Sequence, residues 1–276
     1  MRGLPFLWVA VACGAAPVSA GSESIPTDTS DTATSTPAPY PDGVLLRGAT
    51  ILGDGPCGGL VCDVWVSEGR VQALGPSGTV GEEGLSELDL SGRWLVPAFI
   101  DSHVHLAYLP EAKAMLDGGI AGAVDLAAPV SALAADPGAL RLLNAGPMVT
   151  AVGGYPTQSW GRNGYGLEVA DALEATAAVT TLAEAGARVI KSPVDGSGGL
   201  DDAQLAAIAE TAHQHNLKLA VHALGTEDSL RAARAGADVL AHTPTVGLTA
   251  ATTEAWAPRA VITTLAAFGG GATTVA

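Results

Sequence analysis

Four of the six histidines and one lysine of this 276-residue chain stand at or just beyond the ends of apolar runs. His103 and His105 follow Ile100-Asp101-Ser102. Lys191 ends Val189-Ile190-Lys191, His222 ends Leu219-Ala220-Val221-His222, and His242 ends Val239-Leu240-Ala241-His242. Two residues apart in an extended chain, His103 and His105 point the same way, so both imidazoles can reach one metal ion. Any one of these residues alone would pass for a satisfied core or surface group. Five polar residues at the same end of successive apolar runs are not expected by chance, and a buried lysine there needs a partner. A second His-x-His, His213 and His215, falls at the end of a helical stretch. Residues two apart on a helix face different directions, so these two read as exposed helix-end residues and not as ligands.

The elements that would position the five residues follow a strand-loop-helix rhythm after Trp94. Buried strands are expected over 95–100, 122–126, 142–152, 188–191, 218–222, 238–242 and 260–265. Helices are expected over 169–185, 201–215 and 226–235, the last stopping at Gly236. Repeated βα units predict a parallel sheet with helices outside it, either a barrel or an open doubly wound sheet. In a barrel the C-terminal strand ends converge on one mouth. Before this region, residues 44–95 carry short strand-like runs separated by Gly, Pro, Asp and Ser, and read as a small β-domain with hairpins.

The N-terminus has a different character. Met1-Arg2 precedes an apolar run over 4–12, too short to span a bilayer and suited to the core of a signal peptide occupying 1–20. Ala10-Val11-Ala12-Cys13-Gly14 resembles a lipobox, which would make Cys13 a lipidated mature N-terminus. Val18-Ser19-Ala20 resembles an ordinary cleavage site. The lipobox reading is favoured because a Ser/Thr/Pro-rich tether, 21–43, follows directly. Export to the periplasm or cell envelope, or secretion, would place Cys57 and Cys62 in an oxidising compartment, where they can pair across the Gly58-Gly59 turn. A net charge of −15 argues against a nucleic-acid partner. Contact with a membrane is expected only through the lipid, and oligomerisation is left open.

The run Leu95-Val96-Pro97-Ala98-Phe99-Ile100-Asp101-Ser102-His103-Val104-His105 resembles the Pro-Gly-Phe-Ile-Asp-x-His-x-His signature of the amidohydrolase superfamily. Gly153-Gly154-Tyr155-Pro156, Ile190-Lys191, Val221-His222-Ala223 and Leu240-Ala241-His242-Thr243-Pro244 are similar to its imidazolonepropionase-like and prolidase-like members, in the right order. Asp89-Leu90-Ser91-Gly92-Arg93 is similar to the end of the β-domain that precedes their barrel. The resemblance implies a (β/α)8-type (TIM) barrel behind a small N-terminal β-domain. It implies two divalent metals, Zn²⁺ first among them: His103 and His105 on one, His222 and His242 on the other, and a carboxylated Lys191 bridging both. Two such ions would activate a water for hydrolysis of an amide, cyclic amide or ester in a small-molecule or peptide-like substrate. Tyr155 is a candidate pocket residue. Two departures stand out. Ala98 replaces the usual Gly, and no Asp occupies the end of an eighth strand, because residues 96–276 fall short of the ~250 of a usual barrel. The expectation is therefore an incomplete barrel with weak activity, or an exported, non-catalytic metal-binding remnant.

Overall fold

The computed structural model describes residues 9–12, 43–194, 198–244 and 247–264. Cys13, the 18–20 cleavage motif and nearly all of the 21–43 tether lie outside the described residues. The chain divides into two compact units, Met1–Phe99 with Met115–Ala121, and Ile100–Ala114 with Gly122–Ala276.

The first unit holds one six-stranded sheet. Its strands are β1 (Val9–Ala12), β2 (Val44–Ile51), β3 (Val61–Ser67), β4 (Arg70–Pro76), β5 (Ser86–Asp89) and β6 (Trp94–Pro97), ordered β1-β6-β2-β3-β4 with β5 paired to β2. Residues 9–12, read above as part of a leader, pair antiparallel with β6. Leu46, Ala49, Val64, Leu90 and Leu95 form the apolar face. The register of β2 against β3 shifts between Leu46 and Ala49. There the buried Asp63 carboxylate accepts the Gly48 N–H (2.8 Å) and an Arg47 N–H (3.0 Å). It also accepts Ser77 Oγ–H (2.9 Å) and Gly78 N–H (2.7 Å) from the turn after β4. One ion thus ties the bulge to that turn. Cys57 and Cys62 are joined by a disulfide with Cα atoms 6.3 Å apart.

The second unit is α/β. Its strands are β7 (Phe99–Val104, beginning at the unit boundary), β8 (Ile120–Asp125), β9 (Arg141–Asn144), β10 (Met148–Ala151), β11 (Gly166–Val169), β12 (Ile190–Pro193), β13 (Leu219–His222), β14 (Val239–Leu240) and β15 (Ala260–Val261). The helices are α1 (Ala112–Asp117, also at the boundary), α2 (Ala172–Glu184), α3 (Asp202–Gln214), α4 (Thr226–Ala235) and α5 (Ala250–Trp256). Buried Leu205, Ile208, Ala209 and Ala212 recur on α3 at the spacing of one helical face. They share a core with Val179, Leu182, Ile190, Leu219, Val221, Leu240 and Trp256. Asp171 caps α2, accepting from Leu173 N and Glu174 N, and Asp201 caps α3 in a reciprocal box with Gln204.

Several expectations are corrected here. The single strand over 142–152 is two, β9 and β10, because Gly146 turns with φ +69° and Pro147 cannot donate to a ladder. The helix expected from 169 starts at Ala172, and Val169 belongs to β11. Lys191 does not end its strand: β12 runs on to Pro193. Among the described residues the strands form separate sheets, β7-β8-β9, β10-β11 and β12-β13-β14-β15, and no closed barrel. The β8–β9 pair and all pairs within the last two sheets are parallel. Two bonds bring β12 next to β9 and β10: Arg188 N–H to Asn144 O (2.9 Å), and Ser192 Oγ–H to Val149 O (2.8 Å). No helix of the described residues is long and apolar enough to cross a membrane.

Candidate functional site

The structure brings all five candidate residues of the second unit together. The rings run in sequence, His105 to His103 at 5.1 Å, His103 to His242 at 4.8 Å, and His242 to His222 at 4.6 Å between centroids. His103 and His105 lie at and just past the end of β7. His222 is the last residue of β13, and His242 follows β14 by two residues. Lys191 pairs with Ala220, while His222 pairs with Pro193. Lys191 thus faces the same side of the sheet as His222, two residues nearer the strand start. Its long, flexible stem compensates for that offset of ~6.6 Å. Lys191 is fully buried, and its charge is among the causes that lower the basicity of both His103 and His105.

Burial and a neighbouring charge hold two of these rings, His103 and His105, neutral. Burial, then the Lys191 charge, brings His103 down to about 2 and His105 down to about 4. His103 Nδ1 meets the Ala241 carbonyl at 3.3 Å. A carbonyl only accepts, so Nδ1 carries the proton and Nε2 keeps its lone pair. His242 Nδ1 is engaged by the Thr264 hydroxyl at 2.9 Å. Among the described residues, no three His, Cys, Asp or Glu side chains already form a metal-ready group. The donor chemistry nonetheless fits a divalent ion of the zinc type: adjacent imidazoles, at least two of them held neutral, one with an oriented lone pair.

One functional residue escaped the sequence reading. Asp125 closes β8, is 1% exposed, and accepts from Leu106 N (2.9 Å) and Ala127 N (3.1 Å). Its Oδ1 stands 3.9 Å from His105 Nδ1. Burial pushes this carboxyl up to about 6, against the pull of the Ala127, Leu106 and Ala107 amides. Its signal was present in the sequence, since it is the charged residue that ends Ala123-Val124-Asp125, as His222 ends its own run. Through Leu106 it holds the chain segment carrying His105. Asp125→Ala is therefore expected to weaken divalent-metal affinity by about 10–100-fold, and Asp125→Asn, with one acceptor oxygen, by less. Chelator competition measures both; wild-type affinity in the Ala variant would refute the role.

Tyr155 lies beside the cluster, stacked on His222 at 5.0 Å and 22°. His213 and His215 stay away from it. His213 pairs with Asp238 (2.9 Å) on the outer surface, and His215 is the exposed C-cap of α3.

No family model matches the sequence, and no curated protein does. Solved structures do match. A Xaa-Pro dipeptidase with bound methionine in its active site superposes with a TM-score of 0.70 at 18% identity, over 82% of this chain and 68% of that one. An ochratoxinase from A. niger gives 0.66 at 17% identity, over 85% and 68%. A prolidase complexed with N-methylphosphonate-L-proline gives 0.63 at 21% identity, over 72% and 60%. The chain shares its fold with these structures, and with one named as an amidohydrolase. It spans 65% of one matching structure, an uncharacterised protein, and 60% of another named as an amidohydrolase. In this fold His103, His105, His222 and His242 adjoin one another at or just past the ends of β7, β13 and β14, and Lys191 lies on the same side of its sheet as His222.

Proposed function

We propose that this chain is a metal-dependent hydrolase of the amidohydrolase type. Its parallel strands would form part of a (β/α)8-type barrel, and its bond of choice would be an amide, cyclic amide or related C–N or ester bond. The observation that carries the reading is the unbroken row of four imidazoles beside a fully buried lysine. The hydrolase and peptidase names of the matching structures support it, and so do small-molecule or peptide-like substrates as the class.

His103 and His105 would hold one divalent ion, His222 and His242 a second, with Lys191, carboxylated on its amine, between them. When bound, such a pair supplies a water acidified for attack and a polarised substrate carbonyl. The protein's own part is to keep the His103 and His105 rings neutral and to fix the His103 tautomer through the Ala241 carbonyl. Asp125 holds the His105 segment by its backbone. Tyr155 stacks on one face of His222.

The proposal includes export, with residues 1–12 and so β1 removed from the sheet edge beside β6, Cys13 lipidated and the 21–43 tether leading to the folded units. One experiment addresses both parts. Protein expressed with its N-terminus intact should partition with the cell envelope and hydrolyse members of a dipeptide and N-acyl amino-acid panel. Chelation should abolish turnover and Zn²⁺ should restore it. Turnover indifferent to chelation would remove the metal mechanism, and a wholly cytoplasmic protein would remove export.

A further inference from the structure

One side of the imidazole cluster is aromatic. Trp160 is its hub, with ring centroids 5.0 Å from His105, 5.3 Å from Tyr108, 5.5 Å from Tyr165 and 6.2 Å from Tyr155, each tilted or edge-on. Its indole N–H donates to the Tyr155 hydroxyl (2.8 Å), and Tyr155 lies nearly parallel to His222. The wall therefore runs from the first histidine of the row to the last.

Tyr165 and one side of Trp160 pack in a small core with Ala127 and Met148, but packing does not account for the exposed Tyr108 and Tyr155. Aromatic residues are only 4% of the chain, and the main core of this unit is built almost wholly from Ala, Val, Leu and Ile. Three of the four tyrosines stand in the wall, and two of them, Tyr108 and Tyr155, remain 50% and 37% exposed. The segment carrying Tyr155 and Trp160 is folded tightly on itself. A Cβ at Gly161 would lie 2.4 Å from Pro156 Cγ, and one at Gly166 2.5 Å from Thr157 Cγ2. Part-exposed rings held in place beside reactive groups, with little freedom left to lose, are suited to binding. Polar substrate groups would gain little from these ring faces and edges, whereas a planar ring matches them by offset and edge-on contacts.

We infer that the Trp160 wall is a binding surface for a flat aromatic or heteroaromatic group carried by the substrate beside its scissile carbonyl. The inference rests on the proposed hydrolase activity only for the position of that carbonyl. Specificity in this site then comes from Trp160 and Tyr108, neither of which is a metal ligand.

The test is calorimetric binding of N-benzoylglycine against N-acetylglycine to the full chain, with and without prior chelation. Wild-type protein should bind the benzoyl probe about tenfold tighter in both states, since ring–ring contacts shift affinity by roughly two- to tenfold each. Trp160→Leu should shrink the preference to about threefold or less, and Tyr108→Leu should reduce it as well. Should Trp160→Leu fail to fold, the half-exposed Tyr108 decides alone. Equal or unmeasurable binding of the two probes, or a preference unchanged in the folded variants, overturns the inference. A protein that keeps the preference but holds no metal overturns the hydrolase reading and leaves the aromatic surface standing.

Discussion

Replacing His103 with alanine is expected to lower bound divalent metal from about two ions per chain to about one or fewer. His103 stands in the middle of the row, 5.1 Å from His105 and 4.8 Å from His242, so its loss separates the two halves of the proposed site. It is also the ligand best prepared in advance. Burial holds the ring neutral, aided by the Lys191 charge while its amine is uncarboxylated, and the Ala241 carbonyl leaves Nε2 unprotonated. A ring already in its ligating form does not have to lose a proton before binding a metal near neutral pH. Lys191→Ala should reduce the metal content too, because the amine would then be unable to bridge. Elemental analysis of wild type and both variants is the measurement. Absence of metal from all three would remove the site. Wild-type content in Lys191→Ala would remove the bridge alone.

Asp63→Ala should destabilise the first unit by about 2–4 kcal/mol, because it leaves two backbone N–H groups and a hydroxyl without their acceptor. The carboxylate is fully buried and accepts from Arg47, Gly48, Ser77 and Gly78. Burial alone would raise its pKa, but the bonds from Gly78, Gly48, Ser77 and Arg47 outweigh burial and hold it below the ordinary value. A carboxyl more acidic in the folded state stabilises that state above its unfolded pKa of ~3.9. The contribution is lost as the pH falls from there through the folded value. Thermal melts at pH 7 should show the first unit of the variant melting roughly 10 °C or more lower. The gap should close as both proteins are taken toward pH 3. Identical melts at pH 7 would show that the bulge and the turn do not depend on this ion.

Much of the site was legible before any fold was known. His103 and His105 share a face because strand side chains alternate with period two. The apolar runs before His222 and His242 mark strand ends by their composition. The α3 face and its Asp201 cap follow from helical periodicity and a local hydrogen bond. Even the pairing partner of Cys57 lay only five residues away. Each of these properties is set by neighbours along the chain, and local sequence carries that information directly.

Other properties belong to contacts between residues remote in sequence. Lys191 comes to the same side as His222 only because the register of β12 against β13 sets it opposite Ala220, two residues nearer the strand start. Asp125 is one acidic residue among 28 until β8 brings it within 3.9 Å of His105. Trp160 shows no periodicity that marks it, and its role appears only when the segment after β10 lays it against His105 and three tyrosines. The split of β9 from β10 likewise turned on one break at Gly146-Pro147, and the grouping into distinct sheets on backbone pairing that composition does not encode. Spacing along the chain determined which groups were chemically able to act. Burial, register and long-range packing decided which of them meet, since those depend on the whole set of neighbours a side chain acquires on folding.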